Sequence, residues 1–222
     1  MSDSEFGHSA LKARQRAERH GFGPNLALRV HRALSWLDRS ERTGGDIDAR
    51  FIFLWIAFNA AYATDIDAQI RQSEQNTFSD FIRKLCELDT HRHLEDLAWN
   101  AFPSAIRLLL DNPYVFQPFW DHQAGRAEAS DWQLRFEASK TAAVRALGRR
   151  DTPTVLSVTL ARLYTLRNQL VHGGATWNSS VNRTQLRDCT NLLGQLVPVI
   201  ICIMMDNPHT LWGDPVYPVV ET

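Results

Sequence analysis

Lysine is nearly missing from this 222-residue chain: 3 of its 24 basic side chains are lysine and 21 are arginine. Net charge is equally small, at −1, which excludes a polycation that coats nucleic acid along its whole surface. Cysteine is scarce. Cys86, Cys189 and Cys202 are an odd number, are far apart, and have no metal-ligand spacing, so a disulfide framework and a zinc module are excluded. They read as buried thiols of a protein in a reducing cytoplasm. No glycine-rich phosphate loop, HExxH or GxSxG pattern occurs. The longest apolar stretches, FIFLWIAFNAAYA and LVPVIICIMM, are shorter than the roughly 20 residues of a membrane span. The first residues lack the apolar core of a secretion signal. The expectation is a cytoplasmic protein without a membrane partner, cofactor or metal.

What is present is helical periodicity in a chain that is 44% hydrophobic, enough to bury a core. No stretch alternates as a half-buried strand does. The spacing predicts an all-α, single-domain antiparallel bundle of about seven to eight helices. Residues 1–24 read as a basic arm or short helix, 25–205 as the helical domain, and 206–222 as an extended tail. Asn25 is the expected cap of a helix reaching Arg42, with Leu26, Val30, Ala33, Leu34 and Leu37 on its core face. Asp46 or Asp48 caps DARFIFLWIAFNAAYA, which is apolar nearly all round and so belongs at the centre. Asn59 lies within it as a structural support, bonded to a neighbouring helix or steadying an active-site residue. Later starts are expected at Thr77 or Ser79, at Ser104, at a Ser130–Gln133 capping box, at Thr152–Pro153 and at Asn182–Gln185. The segment NPYVFQPFWDHQAG, with two prolines, reads as an irregular connection, and the last helix is expected to bend near Pro198.

Charge is distributed unevenly. Residues 10–42 hold eight Lys/Arg against three acids, whereas 43–100 hold ten acids against five bases. Arg29 and Arg32 are therefore candidate contacts to an anionic partner. Trp177, in a polar loop, is a candidate for stacking on a base. His91 and His93 flank Arg92, and two residues apart on a helix they face different sides.

The stretch RNQLVHGG at residues 167–174 holds the remaining candidates. Asn168 and His172 are four apart and share a helix face. Arg167 lies about 140° round and about 7.5 Å up the axis from His172. One helix therefore cannot aim both at one small group, whereas two copies of it across a cleft can, and a symmetric homodimer supplies the second copy. His172 sits in the last turn, where the helix dipole favours a cation.

LRNQLVHG resembles the Arg-polar-x-x-x-His signature of HEPN domains, with Arg167, Asn168 and His172 on the motif positions. DARFIFLWIAFNAAYA is similar to the second helix of Apea-like HEPN proteins, with Trp55, Phe58, Asn59 and Tyr62 on the recurring positions. RVHRALSWLDRSE fits their first helix. The resemblance covers roughly 25–65 and 150–205 and leaves about 66–149 unmatched. It implies a metal-independent, dimeric endoribonuclease in which a 2′-hydroxyl attacks the adjacent phosphate and leaves a 2′,3′-cyclic phosphate. In that scheme His172 handles protons, Arg167 stabilises the charged phosphorane, and Asn168 orients the phosphate or the imidazole. The implied setting is a toxin–antitoxin or antiphage system with a possible antitoxin or defence partner. The same resemblance admits a non-catalytic module that binds RNA or nucleotide, or a regulatory dimerisation domain. Some members carry a tyrosine two residues after the histidine, which a partner enzyme modifies. Gly174 stands there, so that regulation is not expected.

Overall fold

A computed structural model describes residues 5–63, 74–180, 183–215 and 217, with backbone only for 74–77. The described residues form ten α-helices and no strand, more helices than periodicity suggests. They are α1 (His8–Glu18), α2 (Pro24–Glu41), α3 (Ile47–Tyr62), α4 (Glu74–Leu88), α5 (His93–Asp96), α6 (Pro103–Leu110), α7 (Gln117–Gln123), α8 (Trp132–Arg149), α9 (Thr152–Val171) and α10 (Arg183–Asp206). The extra elements are short. α7 replaces the expected irregular connection because Asn112 caps the preceding turn at Tyr114 N and Pro118 sits in the first turn of the helix. α5 continues into a π-helical turn over Leu97–Ala101.

α3 is the central helix. It packs most extensively on α2 and then on α10, and α9 pairs with α4 while carrying α6 and α8. The short turn between α2 and α3 makes them antiparallel neighbours. The predicted core face of α2 is wholly buried: Leu26, Val30, Ala33, Leu34 and Leu37 are each 2% exposed or less. On α9, Leu156, Leu160, Leu163 and Leu166 are buried and Leu170 is half-buried. Phe51, Trp55 and Phe58 of α3 meet Phe78 of α4 and Tyr164 of α9 in one aromatic cluster.

Several expected caps are replaced by others. Asp46 does cap α3, accepting from Ala49 N at 3.0 Å. α2, however, begins at Pro24, whose fixed φ suits the first turn, and Asn25 instead donates to Asp214 Oδ1 at 2.7 Å. α6 likewise begins at Pro103, so Ser104 lies inside it. Asp131, without a side-chain bond, precedes α8, and the Ser130–Gln133 box does not form. Asp151 caps α9, accepting from Thr154 N and Thr154 Oγ1. Thr152 is thereby freed to accept from the Trp99 indole at 2.9 Å. α4 starts at Glu74, so Thr77 and Ser79 lie within it. The Asn182 start lies outside the described residues.

α10 is long and apolar enough to cross a bilayer, and 72% of its most apolar window is buried inside the fold. Pro198 lies within it and withholds the N–H that would meet the carbonyl of Gly194. Cys189 is buried, whereas Cys86 and Cys202 are only half-buried, which corrects the expectation of three buried thiols. Burial and the nearby Asp89 push the Cys86 thiol up to about 12, and burial and Asp206 push Cys202 up to about 11. Neither is a ready nucleophile.

Candidate functional site

The end of α9 is fixed by a specific backbone device. The helix stops at Val171, with His172 as C-cap. Gly173 takes a left-handed φ of +73°, Gly174 N donates to Gln169 O at 2.7 Å, and Gly173 N donates to Leu170 O at 3.4 Å. These two bonds close a Schellman motif and satisfy carbonyls that the helix end would otherwise orphan. Both glycines are needed. A Cβ on Gly174 would stand 3.2 Å from Gln169 O, and the φ of Gly173 disfavours any L side chain. Gly173→Ala is expected to destabilise the fold by about 1 kcal/mol. Thermal unfolding should show this as a drop in Tm of roughly 2–4 °C.

A second anchor holds the same turn. Gln169 Nε2 and the Trp120 indole both donate to the carbonyl of Tyr114, at 2.6 and 2.7 Å. α9 is thus pinned at its C-terminal end by the 66–149 section that the family pattern leaves unmatched.

Arg167 opens onto a cleft of about 470 Å³ between α2, α3 and α9. Its guanidinium lies 5.6 Å from the centre of the Tyr164 ring and donates to Asn168 Oδ1 at 2.9 Å. Trp36, Trp55 and Asn59 form the facing wall. Asn59 is half-buried, and among the described residues its amide makes no hydrogen bond. The expected tie to a neighbouring helix is therefore not formed, and the amide faces the cleft beside Arg167. The Trp55 indole N–H is buried, and among the described residues it has no partner. Aromatic walls, the guanidinium of Arg167 with that of Arg32 at the rim, and the unspent Asn59 amide make a surface suited to a base and its phosphate.

His172 is exposed, and among the described residues its ring has no polar partner. It does not line the cleft that holds Arg167. The divergence expected from helix geometry is thus retained in one copy of the chain. Val171, next to it in the chain, is 53% exposed, and Trp177 in the following loop is 73% exposed. The Trp177 indole donates to Asp46 Oδ2 at 3.2 Å, so the ring is held in place while its face stays open. Asp46 is kept below the ordinary carboxylate range by the Ala49 N–H, with the Trp177 bond adding to it.

The two N-terminal arginines differ. Arg29 is 0% exposed and cannot reach an external anion, which corrects its assignment as a contact residue. It donates to Ala61 O, Gly213 O and Asp214 O and so ties the C-terminal tail to α2 and α3. Burial lowers its pKa to about 10. Its position on α2 explains the error: Arg29 is followed by Val30 and falls on the core side of the helix, where charge alone is a poor guide to exposure. Arg32, one turn on, reaches the rim of the cleft and donates to Tyr217 O at 2.7 Å. The tail adds Trp212, which is 7% exposed and carries Lys84 over its ring at 4.9 Å.

Tyr164 and Trp36 are cleft residues that motif reasoning missed. Tyr164 precedes Arg167 by three residues, so helical spacing alone places it on the same face. His91 and His93 also depart from expectation: their rings come within 5.5 Å because Arg92 between them is left-handed, at φ +58°. Among the described residues no group of three or more His, Cys, Asp or Glu gathers in a metal-binding arrangement. No protein-family model matches the chain, and no curated protein or solved structure matches it either.

Proposed function

We propose that the protein is a metal-independent endoribonuclease of the HEPN type that works as a homodimer in the cytoplasm, as a toxin or antiphage effector. The observation that carries this reading is the state of the motif residues. Arg167 stands at the wall of an open cleft, and His172 is exposed at the end of the same helix with no polar partner among the described residues. A purely structural helix ending has no need to leave both chemistries available.

In this reading two α9 ends meet across a two-fold axis, so that each active cleft receives Arg and His from opposite copies. The exposed Val171 supplies apolar surface for that meeting. RNA enters with a base stacked on Trp177 or on the aromatic wall and its phosphate toward Arg167. The 2′-hydroxyl attacks phosphorus and the bond to the 5′-oxygen breaks. His172 moves the proton, and Arg167, oriented by Asn168, offsets the extra charge on the phosphorane. The cleft-facing Asn59 amide adds a hydrogen-bond donor beside the phosphate.

The test is cleavage of a mixed-sequence RNA in excess EDTA, with the new ends identified chemically. The expected products carry a 2′,3′-cyclic phosphate and a 5′-hydroxyl. RNA that stays intact while binding in a salt-dependent manner would favour a second reading, a non-catalytic RNA-binding module, for which the open face of Trp177 is the supporting feature.

A further inference from the structure

Arg162 lies on α9, and it is 3% exposed. Its only hydrogen bond among the described residues runs from Nη2 to Ser139 Oγ at 3.1 Å, so one of the five N–H donors of the guanidinium is used, and Nε is buried with no partner. Among the described residues no carboxylate compensates the charge. Four acids on or beside the surrounding elements are paired elsewhere, Asp80 with Arg83, Asp111 with Lys140, Asp121 with Arg126 and Asp131 with Arg135, and Glu87 and Glu137 form no ion pair with Arg162. Phe116 and Phe136 lie against the guanidinium at 4.5 and 5.4 Å, which favours a cation but bonds none of its N–H groups. A buried charge that lacks a counter-charge opposes folding. Burial accordingly lowers the Arg162 pKa to about 10.

The guanidinium borders a cavity of about 360 Å³ between α4, α7, α8 and α9. Arg135 stands at the same cavity, half-exposed and only loosely paired with Asp131 at 3.9 Å. Ser139 uses its oxygen to accept from Arg162 and keeps its own proton to donate. The hydroxyls of Ser157 and Thr165 donate to helix carbonyls at Pro153 and Ala161, so they turn lone pairs toward the cavity. The cavity lining thus combines cationic donors at Arg162 and Arg135, hydroxyl acceptors, and apolar walls at Val115 and Val158. We infer that this cavity binds the phosphate monoester of a small hydroxylated molecule, with the phosphate on Arg162 and Ser139 and the ligand hydroxyls donating to Ser157 and Thr165. Two arginines match a dianion, and the volume exceeds that of bare phosphate. The site is separate from the RNA cleft, and its test does not depend on RNA cleavage.

The experiment is thermal unfolding and calorimetric titration of the full chain with ribose 5-phosphate, inorganic phosphate and ribose, with ionic strength held constant by sodium chloride. Ribose 5-phosphate at one hundred times its Kd is expected to raise Tm by about 5–10 °C. Inorganic phosphate should bind more weakly, and ribose alone should do nothing. Arg162→Met should abolish the response and, without ligand, melt no lower than wild type. Ser139→Ala, which keeps the guanidinium, should weaken binding about tenfold. Two results would overturn the inference: no response of the wild type to either phosphate, or an equal response in Arg162→Met. If Arg162→Met fails to fold, an unchanged Kd in Ser139→Ala does the same.

Discussion

We expect His172→Ala protein to cleave RNA about 10²–10⁴-fold more slowly than wild type, the range lost with a general acid or base. The fold should be untouched. His172 is exposed and its ring makes no hydrogen bond among the described residues, so removing it should move stability by less than about 0.5 kcal/mol. Arg167→Ala should give a loss of similar size, and the double variant little more than either single one, because residues that serve one transition state act as a unit. The divergence of the two side chains around α9 adds a sharper expectation. If each cleft takes Arg167 from one copy and His172 from the other, mixing the two inactive variants under exchange conditions should restore part of the activity. Single-turnover cleavage of a labelled RNA, with circular dichroism melts alongside, measures all of this. Undiminished cleavage by His172→Ala would remove the catalytic reading of the motif.

The second large effect concerns stability. Phe58→Ala should cost about 3–5 kcal/mol, as truncation of a fully buried aromatic side chain does. Phe58 is 0% exposed, and its ring centre lies 4.8 Å from Tyr62, 5.4 Å from Trp55 and 5.9 Å from Phe78. The void left would sit between α3 and α4, directly behind Asn59 and the cleft wall. For a chain of this size the loss corresponds to a fall in Tm of roughly 6–20 °C, readable by calorimetry. RNA affinity should fall with it, since the wall that Trp55 and Asn59 form depends on the same packing. A Phe58→Leu variant, which keeps most of the volume, should lose much less. A Phe58→Ala protein that melts like wild type would show that α3 is not the central helix of the core.

Helical class, the core faces of α2 and α9, the Asp46 cap and the glycine ending at 173–174 were legible from residue order because each is a local property. Periodicity reports which side of a helix is apolar, and a cap needs only a side chain within three residues of a free N–H. The same locality explains the errors. Asn25, Ser104 and Ser130 have good capping chemistry, but prolines at 24 and 103 and a different turn at 131 set the starts. Helical spacing separates His91 from His93, and only the left-handed backbone at Arg92 brings them together.

Sequence by itself determined that the chain is helical, that α3 is apolar enough to be central, and that Arg167 and His172 cannot converge within one copy. It did so through spacing, which depends on covalent geometry alone. Tertiary structure decided what burial does to charge. Arg29 and Arg32 are three residues apart on one basic helix, yet one is sealed beneath the tail and the other reaches the cleft rim. Arg162 has no acidic partner among the described residues. Which arginine faces water, which ties down backbone and which waits in a cavity depends on elements that arrive from 23 to 185 residues away, and no local pattern carries that information.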